Sequence, residues 1–140
     1  METYLSDELF HARSGTTDSE MLFLLAQEFG MADDPVGAMS RAIGVVEQLA
    51  AEHEVSTLVR FTAAFSDGQS LYAIRYATDH RPPTLYAAPI GGNGGYCLVS
   101  EPLNDDVDAW TEVPDGSAVL VTDAGMTMSS FSPARLAEAA

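Results

Sequence analysis

Residues 17–20, with the sequence Thr-Asp-Ser-Glu, carry the clearest chemical signal in the chain, and an apolar run follows at residues 21–25. The spacing of Thr17 and Glu20 is that of a capping box, in which each side chain bonds the other residue's backbone amide at a helix start. Asp18 then falls in the first turn, where the helix dipole favours a negative charge. Such a carboxylate can serve the helix alone, or it can also hold the ammonium group of a ligand.

The elements that position this motif are predicted to be helices. Leu5, Leu9 and Phe10 have helical spacing and indicate one short helix, with Ser6 as its possible cap. A first main helix is expected over about 18–29, ended by Gly30. A second should begin with Asp34 as N-cap and run to about residue 54, because its apolar residues recur at positions i, i+3, i+4 and i+7. Glycines at 37 and 44 lower its helix propensity and permit another element to approach closely.

From residue 56 the apolar pattern changes to a period of two, which is typical of strands. A hairpin turn is expected at 66–69 and a glycine-rich loop at 91–95, and residues 133–140 could add one weak helical turn. The predicted strands cover about 58–65, 71–76, 84–88, 96–100, 117–122 and 126–131. This order predicts a single α+β domain over 1–140, with two main helices packed on an antiparallel sheet.

Composition excludes several classes of partner. Six arginines and no lysine stand against 21 acidic residues, and the formal net charge is −15. Nucleic acid and anionic membrane surfaces would repel such a chain. No apolar run approaches the roughly 18 residues of a membrane span. The first residues lack the basic and apolar regions of a signal peptide, so a cytoplasmic location is expected.

The remaining reactive residues do not form a recognisable centre. Cys97 lies in a strand pattern with no visible base, which favours a core thiol over a nucleophile. His11, His53 and His80 lie far apart without metal-ligand spacing, and we expect no metal site. The loop at 91–95 is followed by no lysine, which favours a hairpin loop over a phosphate cradle. Ser100 and Glu101 could line a pocket, although strand termination by the following proline is the safer interpretation.

Five segments in this order carry a family resemblance: 17–23, 61–76, 83–86, 100–103 and 110–114. Together they resemble the second half of class II glutamine amidotransferases, in the subfamily that includes the γ-glutamyl hydrolase of ergothioneine biosynthesis. The resemblance extends from about residue 5 to about 121. It implies half of an N-terminal-nucleophile αββα sandwich, no metal or organic cofactor, and glutamine or a γ-glutamyl compound as substrate. It also implies that Asp18 accepts the substrate's α-ammonium group, with Thr17 and Glu20 as capping residues.

The chain departs from this family at its nucleophile. Family members attack the amide with a cysteine directly after the initiator Met, whereas residue 2 here is Glu2. The arginine and the Asn-Gly pair of the family's first half are also absent. We therefore assign no catalytic residue and expect a partial domain that binds the substrate only together with the missing half. A non-catalytic assembly module is the alternative, because half of a sandwich would leave an apolar sheet face exposed to a second copy or a partner polypeptide.

Overall fold

A computed structural model describes residues 4–56, 58–92 and 94–135. These residues fall into two units along the chain. The helical unit contains the described residues up to 56 together with 133–135, and the strand unit contains those from 58 to 132. The single domain expected over 1–140 stays a prediction. In the described residues, no helix is long and apolar enough to cross a membrane.

The helical unit contains three α-helices in its described part, α1 (Asp7–Ala12), α2 (Asp18–Glu28) and α3 (Pro35–Glu52). The predicted start of α3 is confirmed, because the Asp34 side chain accepts a hydrogen bond from the Gly37 amide at 3.0 Å. Gly30 follows α2 with φ of +84°, a left-handed conformation that ends the helix as expected. Helix α2 packs against α3. The buried apolar side chains of these two helices are Met21, Leu24, Leu25, Ala26, Ala38, Met39, Ala42, Ile43 and Val45.

The start of α1 differs in detail from the expectation. Ser6 is the N-cap residue, but its side chain makes no capping hydrogen bond. Its backbone amide instead donates to the carboxylate of Glu28 at 2.9 Å. This hydrogen bond lowers the pKa of Glu28 below its ordinary value. The last turn of α2 therefore holds the first turn of α1.

The close approach expected beside a glycine of α3 occurs at Gly44. The C-terminal segment lies there, and the Ala134 amide donates to the Ser40 carbonyl at 3.1 Å. A Cβ atom on Gly44 would lie 2.1 Å from the Ala134 carbonyl oxygen, which leaves no room for a side chain. Residues 133–135 lie beside α3 and do not form the predicted helical turn. The Ala134 amide bonds to α3 instead of to a neighbouring residue of its own segment. The rest of that predicted turn, 136–140, lies outside the described residues.

The strand unit contains two antiparallel sheets, whereas the sequence predicted one. The four-stranded sheet has the order β1-β2-β6-β7, and the three-stranded sheet has the order β4-β3-β5. Pro82 and Pro83 separate β2 from β3, and proline cannot donate to a strand ladder, so the chain leaves the first sheet there. The α+β class expected from the sequence is confirmed. The strands are β1 (Arg60–Ser66), β2 (Leu71–Ala77), β3 (Tyr86–Ile90), β4 (Gly95–Val99), β5 (Thr111–Glu112), β6 (Ser117–Thr122) and β7 (Gly125–Ser130).

The two sheets share one apolar core. Ala73 of β2 and Val119 of β6 come from the larger sheet, and Ala87 of β3 comes from the smaller one. The loop residues Leu85 and Val113 complete this cluster. Because the cluster draws on both sheets, the sheets pack face to face, in the manner of a sandwich.

A buried guanidinium joins the sheets beside this core. Arg75 of β2 is only 7% exposed. Its Nε atom donates to the Pro83 carbonyl at 3.0 Å, and its Nη1 atom donates to the Val113 carbonyl and, at 2.7 Å, to the Glu112 carboxylate. Glu112 belongs to β5, so this one side chain connects a central strand of the larger sheet with an edge strand of the smaller one.

Replacing this guanidinium should destabilise the strand unit. Arg75→Met leaves the buried Val113 carbonyl without this donor and removes one of the two donors to the Pro83 carbonyl, which keeps the Thr62 hydroxyl at 2.9 Å. We expect a loss of roughly 2–4 kcal/mol in the free energy of unfolding. Urea unfolding measures the change. Arg60→Met is the matched control, because Arg60 pairs with Asp79 at 2.7 Å on the surface and should change stability far less. Equal losses in the two variants would contradict the structural role of Arg75.

Candidate functional site

The Thr-Asp-Ser-Glu motif forms the start of α2. The Thr17 Oγ1 atom accepts a hydrogen bond from the Glu20 amide at 3.3 Å, which is the geometry of an N-cap. In a capping box the Glu20 carboxylate would accept from the Thr17 amide. Here it accepts instead from the amides of Ser14 at 2.8 Å and Gly15 at 2.7 Å, which lie earlier in the chain. Glu20 therefore holds the loop that enters the helix rather than the Thr17 amide.

Asp18 is the first residue of α2 and is exposed. In the described part of the chain its carboxylate has no hydrogen-bond partner, whereas its neighbours Thr17 and Glu20 both bond backbone amides. The carboxylate is thus held at a fixed helix start with its oxygens open to solvent. A carboxylate in this position can accept charge-assisted hydrogen bonds from an ammonium group.

The other reactive residues of the sequence do not gather around a common point. Cys97 lies on β4 and directs its Sγ atom to the Ala88 carbonyl at 3.5 Å. The Nδ1 atom of His80 lies 2.8 Å from the Asp115 carboxylate, and Glu101 accepts from the Thr84 hydroxyl at 2.7 Å. Across the described ranges, no group of three or more potential ligands could hold a metal ion.

A cleft of about 500 Å³ lies at one end of the strand unit, and the sequence did not predict it. Three turns bring its walls together: the β1–β2 hairpin, the start of β4 and the β6–β7 turn. Its lining is mostly polar or glycine: Ser66, Gly68, Gln69, Ser70, Leu71, Gly94, Gly95, Tyr96, Val121, Thr122 and Asp123. Because these residues are far apart in sequence, no motif could indicate them.

Asp67 orders the hairpin that forms one wall of this cleft. Its carboxylate accepts from the amides of Ser70 at 2.7 Å and Gln69 at 2.8 Å, and from the Tyr72 hydroxyl at 3.1 Å. These donors, the Ser70 amide first, lower the pKa of the Asp67 carboxyl. Tyr72 also stacks on Phe65 across the hairpin, with ring centroids 5.5 Å apart.

Comparison with solved structures gives a strong match. No family model and no curated protein matches the chain. A solved structure, titled as a glutamine aminotransferase class-II domain protein from Silicibacter pomeroyi, is 42% identical with a TM-score of 0.87. The chain is similar to a class II glutamine aminotransferase domain. This similarity supports the family indicated by the ordered motifs. The match takes in 95% of this chain but only 60% of the solved one.

The lowered pKa of Asp67 predicts how the hairpin responds to acid. A carboxyl whose pKa is lower in the folded state stabilises the fold at pH values above its ordinary pKa of about 4, and this contribution is lost as the pH falls through the folded value. We expect the pKa of Asp67, followed at its carboxyl carbon by NMR, to lie below the ordinary value of an aspartate. Its protonation should loosen the turn, seen as faster exchange of the Ser70 amide. Titration at the ordinary value would contradict this assignment.

Proposed function

We propose that this chain is part of a class II glutamine amidotransferase (glutaminase) domain, to which it contributes glutamine-ammonium binding and scaffold. The observation that carries the proposal is the 42% identity with the solved class-II domain over 95% of this chain. The subfamily of the ergothioneine-pathway γ-glutamyl hydrolase is proposed on the motifs alone. The substrate is glutamine or a γ-glutamyl compound.

Asp18 is the proposed contact for the substrate's α-ammonium group. Three properties of its position support this role: the carboxylate is exposed, it has no partner among the described residues, and the capped turn fixes its backbone. A hydrogen bond between an ammonium and a carboxylate is about twice as strong as one between neutral groups. Thr17 and Glu20 are the positioning residues, because their bonds fix the loop and the first turn on either side of Asp18.

The proposal places the nucleophile outside these 140 residues. The motifs that this chain shares with the family, within residues 17–114, do not include the family's nucleophilic cysteine. Cys97 is a poor substitute, because the residue is half-buried and its Sγ atom is directed to a backbone carbonyl of the neighbouring strand. The oxyanion-binding groups of the family would likewise come from elsewhere. We thus propose that the chain alone is not a complete catalyst.

A non-catalytic assembly module is a second candidate. The sequence favours such a module if half of a sandwich leaves an apolar sheet face uncovered. In the strand unit, however, the two sheets cover one face of each other with the cluster around Ala73 and Val119. The observation that still favours an assembly role concerns the sheet edges, where β4 and β7 have no strand beside them in the described residues.

Ammonia release from glutamine tests the catalytic part of the proposal. The purified chain and its Cys97→Ala variant should both release no ammonia above the uncatalysed rate, because neither carries an activated nucleophile. A coupled glutamate dehydrogenase assay measures the rate. Release by the parent chain that disappears in Cys97→Ala would show that Cys97 is the nucleophile, and the proposal would then be wrong.

Glutamine titration followed by NMR tests Asp18. In a complex of this chain with the part of the Silicibacter pomeroyi protein that lies outside the match, millimolar glutamine should shift the amide resonances at the start of α2. Asp18→Asn should weaken this response roughly tenfold or more through loss of a charge-assisted hydrogen bond. Asp7→Asn is the matched control, because Asp7 is also an exposed first residue of a helix. The second control is 4-carbamoylbutanoate, which is glutamine without its α-ammonium group. Equal responses to glutamine and 4-carbamoylbutanoate would refute the ammonium contact.

A further inference from the structure

The two sheets of the strand unit each have one unprotected edge. In the part of the chain that the structure describes, β7 ends the four-stranded sheet and β4 ends the three-stranded one. β7 has the sequence Gly-Met-Thr-Met-Ser-Ser and β4 the sequence Gly-Tyr-Cys-Leu-Val. Neither contains a charged residue or a proline, the features by which natural proteins block an exposed edge.

The opposite edges are protected in the usual ways. The other edge of the smaller sheet is β5, which is two residues long and carries Glu112. The other edge of the larger sheet is β1, which begins at Arg60, and this guanidinium bonds Asp79 at 2.7 Å. Short length and charge both discourage the addition of another strand. Protection is therefore confined to the β1 and β5 side of the unit.

The unprotected edges lie on the same side of the strand unit. Strand β4 contacts β7, although they belong to different sheets. Leu98 of β4 and Met126 of β7 both pack against the shared core cluster. On this side of the sandwich, both sheets therefore end in an edge strand, β7 in one and β4 in the other.

The backbone of β7 has donors and acceptors available on this side. The Phe131 amide donates to the Gly116 carbonyl at 2.7 Å, directly after β7. In an antiparallel ladder, residues that bond the neighbouring strand alternate with residues that point away from it. The register pairs Ser130 with Ser117 and Met128 with Val119. The alternation consequently directs the amides of Met126, Met128 and Ser130 away from β6.

We propose that β7 and β4 are extended together by two strands from polypeptide outside these 140 residues, one strand on each sheet. This proposal rests on the proposed function and names where the rest of the domain attaches. The solved class-II domain supports this occupant, because 60% of that chain is covered by the match and the remainder is additional polypeptide. A second copy of this chain is disfavoured, because two molecules with a net charge of −15 repel each other.

Amide hydrogen exchange on the 140-residue chain tests the attachment. The chain is measured alone at two concentrations, and again after co-expression with the part of the Silicibacter pomeroyi protein that lies outside the match. The amides of Met126, Met128 and Ser130 should exchange rapidly in the chain alone and at least about tenfold more slowly in the complex. The amides of Thr127 and Ser129 bond β6 and serve as internal references, slow in both samples.

Two variants at Ser130 separate edge pairing from other contacts. Ser130→Pro removes an outward N–H group, and we expect it to reduce recovery of the complex at least tenfold, whereas Ser130→Ala keeps the N–H group and should behave as the parent. Slow exchange of Thr127 in Ser130→Pro shows that the sheet itself is intact. Equal recovery with both variants would overturn the proposal.

Three further results would also overturn it: no complex at all, a complex in which the three outward amides stay unprotected, or protection in the chain alone that rises with concentration. The last result would identify a second copy as the occupant. None of these samples contains glutamine, and Asp18→Asn should form the complex as the parent does. Failure of the ammonium contact and failure of edge pairing are therefore observed separately.

Discussion

The connection between the two sheets of the strand unit depends on one buried charge, the Arg75 guanidinium. Arg75 bonds two backbone carbonyls and the Glu112 carboxylate, and these acceptors come from the loops and the strand of the second sheet. A guanidinium suits this place because its donors are fixed in one plane and always charged. The surrounding core is built largely from alanine and valine, which allow a close approach of the sheets but specify little about their alignment. Arg75 supplies the directional contacts that such a core lacks.

Hydrogen bonds at the helix ends fix the positions of α2 and α3 within the helical unit. Asp34 caps α3 and also lies 3.3 Å from the Arg41 guanidinium, which in turn donates to the Phe29 carbonyl at 2.9 Å. This chain of contacts ties the end of α2 to the start of α3. At the other end of α2, Thr17 and Glu20 fix the entry of the chain. The carboxylate of Asp18 is thereby presented by a helix whose two ends are both held, which suits a binding group better than a free loop.

Local signals in the sequence predicted local structure well. Asp34-Pro35 and Gly30 marked helix ends, and alternation predicted β6 within its observed limits, because these features depend on neighbouring residues only. The division into two sheets depends on which distant strands pair, and β5 is too short to show any periodicity. The partners of Glu20 were missed because the loop at Ser14 turns back on the helix. The role of Asp18 stays a prediction from its motif, whereas the cleft beside Asp67 has no sequence signature at all.

The contact between Gly44 and Ala134 has a consequence for the order in which the chain can fold. Residues 133–135 return to the helical unit after the whole strand unit has been synthesised. The hydrogen bond from Ala134 to Ser40 therefore closes a long loop, which is slow to form compared with helix contacts between neighbours. During synthesis, the surface of α3 at Gly44 stays uncovered until residues 133–135 have emerged. The helical unit therefore reaches the packing described here only after the strand unit has been translated.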